Sequence, residues 1–206
     1  LKNRNTIIAE VEKYYSDKIA AYGASAKGVD WNSEETQNLR FQQLLKVIGN
    51  QNFSLLDYGC GYGALLKFMQ DTYTGLDYTG FDISKEMLAA GEALYSNKNS
   101  IHWINELGSE IYDYSVASGI FNVRMEHDTL SWEHYIEETL QELNCISKNG
   151  FSFNMLTKYS DKPYMKEYLY YADPCFYFDF CKNKFSKNVA LLHDYDLYEF
   201  TLIVKK

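Results

Sequence analysis

The sequence of 206 residues holds only two prolines. No Pro/Gly/Ser-rich stretch or repeat divides it, so nothing marks a linker and one domain spanning residues 1–206 is expected. No apolar run approaches the roughly 18 residues of a membrane span, and no signal-peptide core is seen. There is no basic run either: 20 lysines and arginines stand against 28 acids, for a net charge of −8. Nucleic acid and anionic membranes both favour a basic face, so neither is expected as a partner. The cysteines Cys60, Cys145, Cys175 and Cys181 show no C-x-x-C spacing and no histidine set to complete a zinc site. No metal is therefore expected, and the thiols read as those of a reducing cytoplasm.

What is abundant is tyrosine, with 19 residues. Aromatic walls with a polar tip suit polar ligands. Hydrophobic periodicity supplies the elements. Thr6 to Ala21 carries Ile7, Ile8, Val11, Tyr14, Tyr15 and Ile19 at helical spacing, and Gly23 stops the run. Ser33 is a candidate N-cap for a helix reaching Ile48, with Glu34 and Glu35 in its first turn. These two helices are read as a cap over residues 1–50.

From residue 53 to 206 strands and helices alternate. Strands are expected over Phe53–Asp57, Tyr78–Phe81, Ser100–Ile104, Tyr114–Ser118 and Gly150–Leu156, and helices over Ala64–Asp71, Ser84–Tyr95 and Ser131–Ser147. Such alternation calls for a parallel sheet covered on both faces. The last two strands, Asn188–His193 and Leu197–Val204, are joined only by Asp194, Tyr195 and Asp196. So short a join allows a hairpin and forbids a crossover. The expected fold is thus α/β, a three-layer sandwich around a seven-stranded, mostly parallel sheet.

Between the first strand and its helix stands LLDYGCGYGALL, with Gly59, Gly61 and Gly63 at alternate positions. A glycine-rich turn of this kind brings backbone N–H groups and a helix N-terminus against a ligand. The spacing is not the G-x-G-x-x-G of a dinucleotide site, and the Lys-Ser/Thr of a phosphate loop is missing. Asp57 closes the first strand and Asp82 the second, in YTGFDIS, where an acid can accept both hydroxyls of a ribose.

With these residues LLDYGCGYGALL resembles the first motif of the class I S-adenosylmethionine-dependent methyltransferases, and YTGFDISKEMLAAG resembles their second. YDYSVASGIFNV and NGFSFNMLT fit later strand positions. The resemblance implies a sheet of order 3-2-1-4-5-7-6 with strand 7 antiparallel, and S-adenosylmethionine as cofactor. It implies that Gly59, Gly61 and Gly63 lie close to the methionine and ribose, and that Asp57 organises the loop or meets the ammonium through water. Asp82 would take the ribose hydroxyls, Ile83 would pack on adenine, and Asn105 or Glu106 would meet the adenine amino group. Ser118 and Gly119 would lie by the methionine, Asn122 near the transferred methyl, and Arg40 would pair with the cofactor carboxylate. The N-P-P-Y tetrad of amino-methylating nucleic-acid enzymes is absent.

A small-molecule substrate follows, bound by a monomer or homodimer beyond the carboxyl ends of the strands. Tyr15, Tyr22, Lys27 and Trp31 from the N-terminal stretch, Tyr159 from a lid at 157–173, and Tyr195 are the candidates to hold it. Lys158, Lys162 and Lys166 in that lid suggest a polar, anionic molecule. A hydroxyl acceptor benefits from a base, for which His193 is the first candidate and His127 the second. Oxygen of a sugar, nucleotide-sugar or other biosynthetic intermediate is the first reading of the acceptor and nitrogen of a small amine or amino sugar the second. The rivals are a non-catalytic cofactor-binding protein and an enzyme acting on protein side chains.

Overall fold

The computed structural model describes residues 4–31, 33–95 and 100–206; residues 1–3 and 32 of the expected cap lie outside them. Helix α1 is Arg4–Tyr22, and α2, Glu34–Leu44, tightens into a 3-10 turn at Leu45–Val47. Then follow β1 Asn52–Tyr58, α3 Ala64–Met69, β2 Gly75–Phe81, α4 Lys85–Tyr95, β3 Ile101–Ile104 and β4 Tyr112–Ala117. The chain ends with α5 Thr129–Ile146, β5 Ser147–Leu156, α6 Pro174–Lys184, β6 Asn188–Leu192 and β7 Glu199–Lys205. The strands form one sheet of order β3-β2-β1-β4-β5-β7-β6. All neighbours are parallel except β5–β7 and β6–β7, as expected. Among the described residues no helix is long and apolar enough to cross a membrane.

Side chains alternate across the strands and feed two cores. Leu55 of β1 and Val116 of β4 join Phe41, Leu44, Leu65 and Met69 on the face covered by α2 and α3. Leu56 and Ala117, one residue on, join Trp132, Ile136 and Leu140 on the face covered by α5. Both faces are dry, which is why β1 reads as a continuous apolar run.

One departure from the expected pattern matters. Helix α6 is not foreshadowed by strong periodicity, but Asp173 caps it, accepting from Cys175 N at 3.0 Å, and Pro174 occupies its first turn. Asp-Pro was the readable signal. Between β3 and β4 residues 105–111 form no helix, in line with the expected elements. Helix α1 covers that face instead: Ile7 and Val11 pack with Tyr58, Phe81, Tyr112 and α5's Trp132 in one core. The expected N-terminal cap is therefore, in its first half, a structural layer of the sandwich.

Candidate active site

From Tyr58 the chain turns through Gly59, Gly61 and Gly63 into α3, and all three have positive φ, 77°, 55° and 86°. That region is costly for residues with a Cβ. Space is equally restrictive at two of them. A Cβ on Gly59 would stand 2.4 Å from Ile120 Cγ2, and one on Gly63 would stand 2.6 Å from Trp103 Cη2. Gly59 thus lets the loop close on the segment after β4, whereas Gly63 seats an indole.

Asp82 braces this loop. Its Oδ2 accepts from Gly61 N at 2.8 Å and its Oδ1 from Ser84 N at 2.9 Å. Burial pushes its carboxyl up to about 6, against the pull of those backbone donors. Asp57 is also buried and accepts from Tyr78 Oη at 2.7 Å. Burial pushes it up to about 7; the Tyr78 bond opposes the shift and the charge of Asp82 adds to it. The loop therefore rests on two carboxyls that titrate near neutrality.

A cavity of about 410 Å³ opens over the loop and runs beneath α1. Asp57, Gly59, Gly61, Asp82, Ile83, Asn105, Glu106, Ser118 and Gly119 line it, together with Tyr15 and Trp31. Trp31 lies so close on Gly119 that a Cβ there would be 2.4 Å from Cζ2 of its ring. Ser118 Oγ is buried with no hydrogen-bond partner among the described residues.

Other expected site residues stand outside this cavity. Gly63 faces Trp103. Arg40 is engaged by Glu199, through Nε at 2.8 Å and Nη2 at 2.7 Å, so its charge is already met. His193 lies beyond the end of β6, exposed, with its ring beside Tyr159 and Phe200. His127 is buried between α1 and α5, Nε2 3.0 Å from Glu10 and its ring stacked on Trp132. Asn122 accepts from Leu156 N at 3.1 Å, a strand-end tether. Tyr22 and Lys27 are exposed on the outer side of the N-terminal stretch, and Tyr195 is buried against Thr201.

The expected lid is likewise held elsewhere. Its backbone bonds to residues 122–125 through Tyr170 N to Asn122 O and Met125 N to Tyr168 O, each at 2.9 Å. Among the described residues none from 157 to 173, Tyr159 included, lines the cavity. Lys158 is paired with Asp173 at 2.6 Å. Short local bonds won over closure. Residues of α1 and Trp31 line the cavity in its place.

Sequence reasoning missed Arg4, Tyr58, Tyr135 and Glu142, which form the far end of the cavity. Tyr58 was within reach, standing beside Gly59. Glu142 reads as one more polar residue on an amphipathic helix, and only the packing of α1 on α5 brings Arg4 to it and leaves it half-buried.

A family described as "Methyltransferase domain" matches residues 55–150. Rv1506c of Mycobacterium tuberculosis, which is named as a methyltransferase, is 51% identical over 156 residues, spanning 75% of this chain and 93% of that protein. Among solved structures, magnesium protoporphyrin IX methyltransferase from Synechocystis PCC 6803 with bound S-adenosylhomocysteine superposes with a TM-score of 0.67 at 16% identity, covering 99% of this chain and 100% of the other. The DhpI complex with S-adenosylhomocysteine gives a TM-score of 0.66 at 12% identity, over 96% and 95% of the two chains.

The cofactor is S-adenosylmethionine, and the cavity fits it on its own terms. Ser118 Oγ is a buried hydroxyl with no partner among the described residues, and Asp82 is a carboxylate with acceptor capacity beyond its bonds to the backbone. The loop between them presents backbone without side chains. Sheet order, glycine loop and a relative 51% identical agree, and the chain belongs to the class I S-adenosylmethionine-dependent methyltransferases.

Proposed function

We propose that the protein methylates a small polar molecule, first a hydroxyl of a sugar, nucleotide-sugar or other biosynthetic intermediate. The observation that carries this reading is the cavity of about 410 Å³ lined by residues of α1 and Trp31. Its size is that of a small-ligand site. Bound S-adenosylmethionine supplies an electrophilic methyl on a sulfonium; the acceptor atom gains the carbon as the sulfur keeps the bonding electron pair.

The chain's part is to hold and to exclude water. Asp82 would take the ribose hydroxyls, Ile83 would pack on adenine, and Asn105 or Glu106 would meet the adenine amino group. Ser118 and Gly119 would position the methionine end, with Asp57 reaching the ammonium through water. Holding a nucleophile in line with the methyl supplies much of the rate in such a displacement.

A second reading, methylation of a small amine or amino sugar, is favoured by one observation. No histidine is among the described residues that line the cavity. A hydroxyl wants a base, whereas a neutral amine needs only to lose a proton at some stage. Incubation with S-adenosylmethionine and panels of hydroxylated compounds and amines, with S-adenosylhomocysteine release as the readout, tests both. Release with one panel alone assigns the acceptor atom. Release with neither panel, but with a protein or peptide acceptor, would overturn the small-molecule reading.

A further inference from the structure

The cavity has an arm that the cofactor residues do not account for. It lies beneath α1, in the space that a helix between β3 and β4 would otherwise fill. Tyr58 connects the two regions. Its backbone leads into Gly59, while its hydroxyl donates to Glu142 Oε2 on α5 at 2.9 Å. Arg4 Nη2 donates to the same oxygen at 2.7 Å. Both bonds fall on Oε2, so a further donor has Oε1 to address.

The walls of this arm are aromatic. Tyr58 packs edge-on against Phe81, with centroids 4.8 Å apart, and Tyr135 is tilted on Trp132 at 5.1 Å. Ile8, Val11 and Leu107 complete an apolar middle. Burial pushes the Tyr135 hydroxyl up to about 12 and raises that of Tyr58, so neither contributes negative charge at neutral pH. Aromatic faces with a carboxylate at one end favour an organic cation.

The charge of the whole cavity points the same way. Asp57, Asp82, Glu106 and Glu142 line it against Arg4 alone among the described residues. Asp57, Asp82 and Glu106 stand on the cofactor's side of the cavity and Arg4 is already paired with Glu142 at 2.7 Å, so an anionic acceptor finds no free cation among the described lining residues. The lysines that suggested an anion lie elsewhere.

We propose that the arm beneath α1 is the acceptor subsite, and that it takes a small molecule whose apolar body carries a protonated amine anchored on Glu142. The proposal rests on the methyltransferase reading, because the arm opens on the glycine loop. The amine is the anchor, and the methylated atom is at the other end of the molecule.

The test is calorimetry and ligand-observed NMR on the full chain saturated with S-adenosylhomocysteine. The probes are tyramine, phenethylamine and benzylamine, each beside the carboxylate of matching shape. The amines are expected to bind and the carboxylates not, and Glu142→Gln should weaken amine binding at least about tenfold, the loss of one charge-assisted contact. In that variant, S-adenosylhomocysteine affinity should be unchanged. Tyr135→Leu is a second variant, expected to weaken amine binding by removing an aromatic wall. Equal binding of amines and carboxylates, or no amine binding while S-adenosylhomocysteine binds, overturns the subsite and leaves the cofactor reading intact. Amine binding unaffected by Glu142→Gln does the same. Failure to bind S-adenosylhomocysteine itself would strike the cofactor reading instead.

Discussion

The guanidinium of Arg40 grips the carboxylate of Glu199 through two bonds, Nε to Oε2 at 2.8 Å and Nη2 to Oε1 at 2.7 Å. Both side chains are buried, and the contact joins α2 to β7 across 159 residues of sequence. It does not end there. Asn154 Nδ2 donates to Glu199 Oε2 at 2.6 Å, and Asn154 Oδ1 accepts from Gly119 N at 2.8 Å. Trp31 lies over both ends of this chain, its ring 4.1 Å from the Arg40 guanidinium carbon and in contact with Gly119. Arg40 therefore acts on the cavity through the backbone at Gly119.

Arg40→Met should leave Glu199 buried without its counter-ion and cost about 3–5 kcal/mol in urea unfolding. Adding Glu199→Gln should restore most of that, because the uncompensated charge is gone. The double variant should bind S-adenosylhomocysteine close to the parent's affinity. A loss of about 100-fold, or ~2.7 kcal/mol, in the folded double variant would mean that the guanidinium meets the cofactor directly after all.

Asp82→Asn keeps an acceptor for one backbone donor but loses the charge and one oxygen. Affinity for S-adenosylhomocysteine should fall about 10- to 100-fold, the ~1.4–2.7 kcal/mol of a buried charged hydrogen-bond partner. Calorimetry on a variant with native-like circular dichroism reads this. Unchanged affinity would remove Asp82 as the ribose ligand.

The two buried carboxyls make stability depend on pH in a defined direction. Asp57 and Asp82 sit at about 7 and about 6, above their ordinary value of 3.8. Between those limits the folded protein holds protons that the unfolded chain has released, so stability from these groups is full below pH 4 and lost as pH rises through 6 to 7. Urea midpoints for the parent and Asp57→Asn between pH 5 and pH 8 should diverge, with the variant gaining on the parent as pH rises. Parallel curves would show that Asp57 is ionised when buried. Over the same window S-adenosylhomocysteine affinity should rise, since the ionised Asp82 is the better acceptor.

The three loop glycines should separate by what faces them. Gly63→Ala drives a methyl into Trp103 at a φ of 86°, so it should cost about 1–3 kcal/mol of stability. Gly61 lines the cavity, and its Cβ would meet Val29 Cγ1 at 3.1 Å and Met87 Sδ at 3.8 Å. Gly61→Ala should therefore weaken S-adenosylhomocysteine binding more, relative to its effect on Tm, than Gly63→Ala does. The reverse order would return Gly63 to the ligand.

What the sequence by itself determined is local and periodic. Alternating apolar strands, the short join before β7, and Asp57 and Asp82 flanking the glycines carried the sheet and the cofactor loop, because each depends on residues near one another in the chain. Even there the reason for Gly63 was hidden, since Trp103 comes from another strand. Tertiary structure decided the rest. Arg40 met Glu199, 159 residues away, and a buried guanidinium takes the counter-ion that packing offers. His193 was the first candidate base in the text and His127 the second, but a histidine's role depends on which wall it faces, and neither is among the residues that line the cavity. The short link of residues 105–111 left one face of the sheet bare. Apolar surface there had to be covered, and α1, from the far end of the chain, covered it and shaped the arm that ends on Glu142.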